Sequence, residues 1–216
     1  MKLPWNGDTT RRNGRSRARS LPDSGASREA SSEDLASLAP GDAISFWGEG
    51  NRLVSCVFDC SEGIGDRRYS WRWIFLDDGS LVEDSADGWW RYAEHEIIPQ
   101  GSGRYADLVG SGGALERFET RVRNDTVHDD PVIVELQGRR YRVTSTGTVE
   151  IVRRGDAPRL TPWQQFVAAH EDNVYFSLVA EEDEAAGVLG IWTSHVCLSF
   201  GRPVPRSDVD GVFHRA

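Results

Sequence analysis

The sequence predicts a mainly β protein with a disordered N-terminal tail. Two similar, small antiparallel β-units, each a barrel-like or sandwich half, are expected to pack together with one or two short helices. The first supporting observation is a series of short runs that alternate apolar and polar residues between glycine-containing turns. The second is a pattern of strand, glycine turn and basic-aromatic strand that occurs at 46–54 and again at 136–141, an offset of about 90 to 100 residues.

These patterns divide the chain into four parts. Residues 1–33 are rich in Arg, Ser, Gly, Asp and Pro and cannot bury enough apolar surface to offset the entropy of ordering. They precede a first β-unit at 34–100, a linker with a short helix at 101–130, and a second β-unit at 131–216. Because the two units share their pattern, we expect two units packed as one body rather than a single large barrel.

The first unit is centred on the stretch 70–92, which holds four of the eight tryptophans. Trp71 and Trp73 are two positions apart, so one face of their strand is aromatic. Glycine-containing turns at 77–80 and 87–88 make the stretch a meander of short strands. The strands expected in this unit are 43–47, 52–58, 71–76, 81–84, 89–92 and 94–99.

The linker and the second unit carry weaker signals. A turn of helix is expected at 104–109, whereas 114–119 fits a helix and a strand equally well. Thr161 as N-cap and Pro162 in the first turn predict the start of a helix. The strands expected in this unit are 132–136, 140–145, 148–152, 175–180, 188–192 and 195–200.

Composition excludes several classes of protein. No run approaches the roughly 20 apolar residues of a membrane helix, and the N-terminus lacks the apolar region of a secretory signal. We therefore expect a cytoplasmic protein without a transmembrane segment. Residues 1–30 carry a net charge of +4 and the rest of the chain carries −13, for a total of −9. A body that acidic repels phosphate backbones, so no specific nucleic-acid binding is expected.

The basic tail has two interpretations. Five arginines lie within nine positions: Arg11, Arg12, Arg15, Arg17 and Arg19. They allow weak contact with an anionic membrane surface, to which each basic residue contributes about 1 kcal/mol. The plainer interpretation is a solvated extension that keeps the protein soluble.

The cysteines, histidines and acidic turns do not form a recognisable reactive site. Cys56, Cys60 and Cys197 are an odd number at spacings that fit neither a disulfide framework nor a zinc site, so we expect buried free thiols and no metal. The glycine-rich segments of the linker lack the Gly-Lys-Ser/Thr of a phosphate loop, so no cofactor is expected. Neither His95 nor His195 has a nucleophile and an orienting acid placed beside it by the sequence, so we expect no catalysis.

The aromatic residues of the meander are the candidate partner or ligand surface. They are Trp71, Trp73, Trp89, Trp90 and Tyr92. The competing interpretation is core packing, because buried aromatic rings remove a large area from water and a small β-unit needs such residues. Trp89 and Trp90 are adjacent in a strand and must face opposite sides, so one of them is expected to be exposed.

Several segments resemble the bacterial domain-of-unknown-function 4178 family, in an order and spacing that extend over roughly 38–212. The matching pieces are PGDAI at 40–44, WRWIFLDDG at 71–79, LQGRRYRV at 136–143, FSLVAEE at 176–182 and GRPV at 201–204. The chain departs from the family in having Arg72 before Trp73, where an acidic residue is usual, and in lacking the cysteine-pair zinc ribbon of some relatives.

The resemblance implies an accessory protein and supplies no catalytic residues. Its relatives are encoded beside phage-shock-type membrane-stress proteins, small membrane proteins and aminopropyltransferase-like enzymes. We therefore expect an interaction protein with an unidentified protein partner, in a membrane-stress or polyamine-linked system. The alternative is a carbohydrate- or peptide-binding module that uses exposed tryptophans.

Overall fold

The structure is a computed structural model that describes residues 35–64, 66–156, 173–191 and 195–215. The predicted disordered tail and the helix start predicted at Thr161 lie outside the described residues. The strands and the two α-helices that fall wholly within the described residues are β1 (Ala43–Phe46), β2 (Gly50–Ile64), β3 (Arg67–Leu76), β4 (Leu81–Ser85), β5 (Gly88–Pro99), α1 (Gly103–Val109), α2 (Ala114–Arg123), β6 (Ile133–Leu136), β7 (Arg139–Gly155), β8 (Asn173–Ala180), β9 (Ala186–Ile191), β10 (His195–Pro203) and β11 (Val209–Phe213). A 3-10 helix, Arg206–Asp208, precedes β11.

Eight antiparallel strands form a closed barrel in the order β2-β3-β4-β5-β10-β9-β8-β7, and β7 pairs back with β2. The prediction of a mainly β, antiparallel fold with two similar units is confirmed, because β2–β5 and β7–β10 are two meanders that each supply half of the barrel. Our preference for packed units over one barrel needs a correction. The halves are joined by backbone hydrogen bonds along two seams, β5–β10 and β2–β7.

The similarity of the halves extends to their first strands. The start of β2 pairs with β1 and the start of β7 pairs with β6, whereas the later parts of β2 and β7 pair with each other. Each long strand therefore forms a hairpin at one end and closes the barrel at the other. β11 extends the sheet beyond β1.

Bulges explain why two strands are longer than expected. The predicted runs 140–145 and 148–152 form the single strand β7, which has an irregular pairing with β8 between Val143 and Ser145. The runs 89–92 and 94–99 likewise form β5, with an irregularity at the corresponding place in its pairing with β10. An extra residue bends a strand without ending it, and such bends occur where sheets close into barrels.

Alternation along the strands separates an inner core from two outer ones. Phe58 and Trp73 belong to a cluster that draws side chains from all eight barrel strands and therefore fills the barrel interior. Their neighbours Val57 and Ile74 belong to a cluster on the outside of the first half. A third cluster lies outside the second half, where α1 and α2 cover the sheet.

The two α-helices confirm the helical turn expected in the linker and show that the ambiguous run after it is also a helix. Helix α1 covers the turn predicted at 104–109, and the Ser102 hydroxyl accepts a hydrogen bond from the Tyr105 N–H at its start. The ambiguous run at 114–119 is the beginning of α2, which buries Leu115 and Phe118. None of the described helices has the length and apolar character needed to cross a membrane.

Arg72 fixes the first described residues onto the outer face of the first half. Leu35 and Leu38 are fully buried there. The guanidinium of Arg72 donates to the carbonyl oxygens of both leucines, at 2.6 and 2.5 Å, and to the Asp59 carboxylate at 3.0 Å. A buried arginine thus hydrogen-bonds two buried backbone carbonyls, of which that of Leu35 also accepts from the Leu38 N–H at 3.2 Å.

Candidate functional site

Three of the five aromatic residues predicted as a surface are core residues. Trp73 is fully buried in the barrel, where its Nε1–H donates to Glu83 at 3.1 Å, and Tyr92 is buried in the same cluster. Trp89 is buried on the outer face, where its Nε1–H donates to Asp84 at 3.0 Å. For these three side chains the surface prediction is wrong, because the rings supply the apolar area that closes the barrel and its outer layer.

The remaining two, Trp71 and Trp90, are half-buried. Trp90 packs against the barrel interior and Trp89 against the outer cluster, so the expectation that these neighbours face opposite sides is confirmed. A stacking platform for sugars needs two exposed, coplanar rings. The ring planes of Trp71 and its neighbours Trp73 and Tyr175 are instead inclined, at 69° and 49°.

Trp71 belongs to a group of residues at one end of the barrel that we call the barrel mouth: Glu62, Tyr69, Trp71 and Tyr175. The ring centroids of Trp71 and Tyr175 are 5.2 Å apart, and the Tyr175 hydroxyl donates to the Glu62 carboxylate at 3.1 Å. Tyr69 is directly opposite Glu62 in the β2–β3 pairing and is 46% exposed. Residues 69 and 71 share a face of β3, so the side chain of Tyr69 lies on the same face as Trp71 and Glu62.

The electrostatics of the barrel mouth are negative. Burial raises the pKa of Glu62, although hydrogen bonds from Tyr175 and the Thr148 backbone partly offset the effect. Burial and the negative charges of Glu62 and Glu83 raise the pKa of Tyr175 far above its ordinary value. Within the described part of the chain, Glu62 has neutral hydrogen-bond donors and no ion pair.

An open cleft with a volume of about 650 Å³ lies beside Trp71 on the outer side of β2 and β3. Asp59 in its lining is paired, because it accepts from both Arg72 and Arg154. Burial acts to raise the pKa of Asp59, but the hydrogen bonds and charges of Arg154 and Arg72 outweigh it and hold the pKa below its ordinary value. Of the other charged lining residues, Arg68 pairs with Glu150, and Asp84 accepts a hydrogen bond from the neutral Trp89 indole.

A second candidate surface lies on the β11–β1–β2 extension, and we call it the apolar strip: Ala43, Leu53 and Phe213. Ala43 is directly opposite Phe213 in one pairing and opposite Leu53 in the other, so the three side chains share a face. Leu53 is 54% and Phe213 55% exposed. The next row of the same face is Gly211, Ser45 and Asn51, which adds no charge.

Sequence reasoning missed the apolar strip for a topological reason. Phe213 lies in the last strand and Ala43 in the first, and no local pattern shows that these two strands pair. One weak sequence signal for an exposed apolar surface in this region is Trp47, a large aromatic residue directly before a glycine turn. Trp47 is 70% exposed in the structure.

The structure does bring a histidine and a serine together, in the barrel wall. His95 Nδ1 lies 2.7 Å from the Ser199 hydroxyl, and His95 Nε2 lies 2.8 Å from the Gly79 carbonyl oxygen. Because a carbonyl only accepts, Nε2 carries the proton and Nδ1 accepts from Ser199. Burial lowers the pKa of His95, so the ring is neutral. Ser199 is fully buried, which places its hydroxyl beyond the reach of a substrate.

All three cysteines are buried free thiols, as expected. Burial raises the pKa of Cys56 to about 11 and that of Cys197 to about 12, and it raises the pKa of Cys60 well above its ordinary value. A thiol must ionise to act as a nucleophile or metal ligand, and these pKa values oppose ionisation at neutral pH. Among the described residues, no cluster of three or more potential ligands is arranged to hold a metal ion.

Comparison with known proteins adds no identification: no family model, curated protein or solved structure matches the chain. The resemblance to the domain-of-unknown-function 4178 family therefore stays a prediction from the residues quoted above.

Proposed function

We propose that the protein is a non-enzymatic interaction protein that binds a protein partner through the apolar strip. The observation that carries this proposal is the pair of large apolar side chains, Leu53 and Phe213, each more than half exposed beside a row of uncharged residues. The Asp77 carboxylate, which accepts from the Leu53 N–H at 3.1 Å, lies at one end of the strip. Exposed apolar patches rimmed by polar residues are typical of protein interaction sites.

The edge of the sheet defines the form of the partner. Among the described strands, β11 pairs with β1 alone, so its other side presents unpaired backbone groups next to Phe213. An extended segment of a partner adds to such an edge through main-chain hydrogen bonds, and its alternate side chains reach the apolar face. We therefore assign the site to a strand with apolar residues at alternate positions.

The charge of the chain favours a different protein over a second copy. Outside residues 1–30 the chain carries −13, so two copies that meet at this edge repel each other. A neutral or basic partner avoids that repulsion. The family resemblance adds the expectation that the partner belongs to a membrane-stress or polyamine-linked system. Identification of the partner tests that expectation.

Site-specific photo-cross-linking in the native host tests the proposal. A photoreactive phenylalanine derivative placed at Leu53 or Phe213 should yield one discrete adduct with another protein. The matched control is Glu135, which is exposed on β6, the strand at the opposite end of the sheet order. An equal adduct at Glu135, no adduct at either strip position, or an adduct of two copies of the chain would contradict the proposal.

A further inference from the structure

We propose that the barrel mouth binds an alkylammonium group, held by the rings of Tyr69 and Trp71 and by the carboxylate of Glu62. This site stands on residues separate from the apolar strip and does not depend on the function proposed above.

The geometry supplies a preorganised aromatic wall. Trp71 is fixed between two rings, at centroid distances of 6.2 Å to Trp73 and 5.2 Å to Tyr175. Trp71 is half-buried, so part of the residue stays accessible to solvent. Tyr69 projects from the same face of β3 and is 46% exposed. Its Cβ and that of Glu62 are about 5 Å apart, as in any directly opposed antiparallel pair.

The charge distribution selects a cation. The face of an aromatic ring is negative and attracts ammonium groups, most strongly when the ring belongs to tryptophan. Glu62 is held toward the rings by the Tyr175 hydroxyl, and no described residue neutralises its charge. Glu83 adds negative potential at Tyr175. Arg67 shares this face of β3 two pairs nearer the hairpin tip, yet it is not among the groups that shift the pKa of Glu62.

Gly147 shows how closely the carboxylate is seated. A Cβ built at residue 147 would lie 1.8 Å from a Glu62 carboxylate oxygen, so the glycine leaves the space that this oxygen occupies. The carboxylate is therefore set against the backbone of β7 on one side and beside the aromatic rings on the other. Such a position allows contact with a cation without rearrangement of the strands.

Titrations followed by NMR of the Trp71 indole and the Tyr69 amide test the proposal with the whole chain. The probes are choline and 3,3-dimethylbutan-1-ol, which has the same shape as choline without its charge. A third probe, an N-acetylated trimethyllysine amide, distinguishes a lysine side chain from a free small amine. We expect saturable shifts with choline, and at least about tenfold weaker binding of the neutral alcohol.

Variants separate the site from general effects. Glu62→Gln keeps the size of the side chain and removes its charge, and Tyr69→Ala removes an exposed ring. Each should weaken choline binding about tenfold. The matched control is Glu150→Gln, which alters an exposed carboxylate of β7 that pairs with Arg68 on the other face of the β2–β3 hairpin. Unsaturable shifts, equal binding of the neutral alcohol, or unchanged affinity in both Glu62→Gln and Tyr69→Ala would overturn the proposal. Tighter binding of the trimethyllysine amide than of choline assigns the site to a lysine side chain, and the reverse order assigns it to a free amine.

Discussion

Substitution of Gly201 by alanine should destabilise the protein strongly, because the backbone of β5 occupies the space of the new methyl group. Gly201 lies in the β5–β10 seam next to the bulge. A Cβ at this position would lie 1.9 Å from the Arg91 carbonyl oxygen and 2.6 Å from the Tyr92 Cα. Both atoms belong to the backbone, so the clash is relieved only when the two strands of the seam move apart.

The expected loss is about 3 kcal/mol or more, because overpacking in a well-packed core costs roughly 1 to 3 kcal/mol even where only side chains shift. In a domain of this size, 1 kcal/mol lowers the melting temperature by about 2 to 4 °C. Thermal unfolding followed by circular dichroism should therefore show a decrease of about 6 to 12 °C. The φ angle of Gly201 is not positive, so the effect is steric and not conformational.

Gly63→Ala is the matched control, because a Cβ at that position of β2 has no atom within 4 Å. It should leave the melting temperature unchanged or raise it slightly through a smaller unfolded-state entropy. A Gly201→Ala protein that melts within about 2 °C of the wild type, against the expected decrease, would refute the assignment of a close seam. Equal destabilisation of both variants would do the same.

Three further predictions concern buried polar groups and thiols. Arg72→Leu should cost about 2 to 5 kcal/mol in urea unfolding, because the Leu38 carbonyl loses its guanidinium donor, the Leu35 carbonyl keeps only the Leu38 N–H, and Asp59 keeps only Arg154; a loss below about 1 kcal/mol would contradict this role. Burial acts to raise the pKa of Asp42, but hydrogen bonds from the Arg215 and Ala39 backbone and from His214 lower it below 3.8. The stabilisation that ionised Asp42 contributes is therefore present above pH 3.8 and is lost as the pH falls through the folded-state pKa. The difference in unfolding free energy between wild type and Asp42→Asn should shrink in that acidic range. A difference that stays constant with pH would contradict this role of Asp42. A thiol reagent should modify all three cysteines in urea and none in the native protein, and rapid modification of the native protein would show that the barrel interior is accessible.

Local patterns were sufficient where a residue's role depends on its immediate neighbours. The alternation of Trp71 and Trp73 predicted strand β3, and the glycine turns predicted the meander around it. Leu115 and Phe118 are three positions apart, a spacing that a helix buries on one face, but the run is too short to exclude a strand. Its packing against the second half of the barrel decides in favour of the helix.

Long-range pairing was beyond the sequence because it depends on the closure of the whole sheet. Tyr175 reaches Glu62 across 113 positions, and Phe213 joins Ala43 through a strand at the opposite end of the chain. Burial of Trp73 follows from the same closure, whereas Trp89 is buried by residues that pack on the outer face, among them Leu35, Leu38 and Val209. An alternating aromatic face is equally compatible with a barrel interior and with an exposed platform, and only the position of the other strands distinguishes them.

Comparative purification from the native host tests the central claim, partner binding by the apolar strip, most directly. Tagged wild-type protein, a Leu53→Ser/Phe213→Ser variant and the mouth variant Glu62→Gln would be purified in parallel, with melting temperatures measured for all three. We predict that the protein cross-linked at Leu53 and Phe213 co-purifies with the wild type and with Glu62→Gln, and is lost from the double variant at an unchanged melting temperature. Retention of that protein by the double variant would contradict the claim.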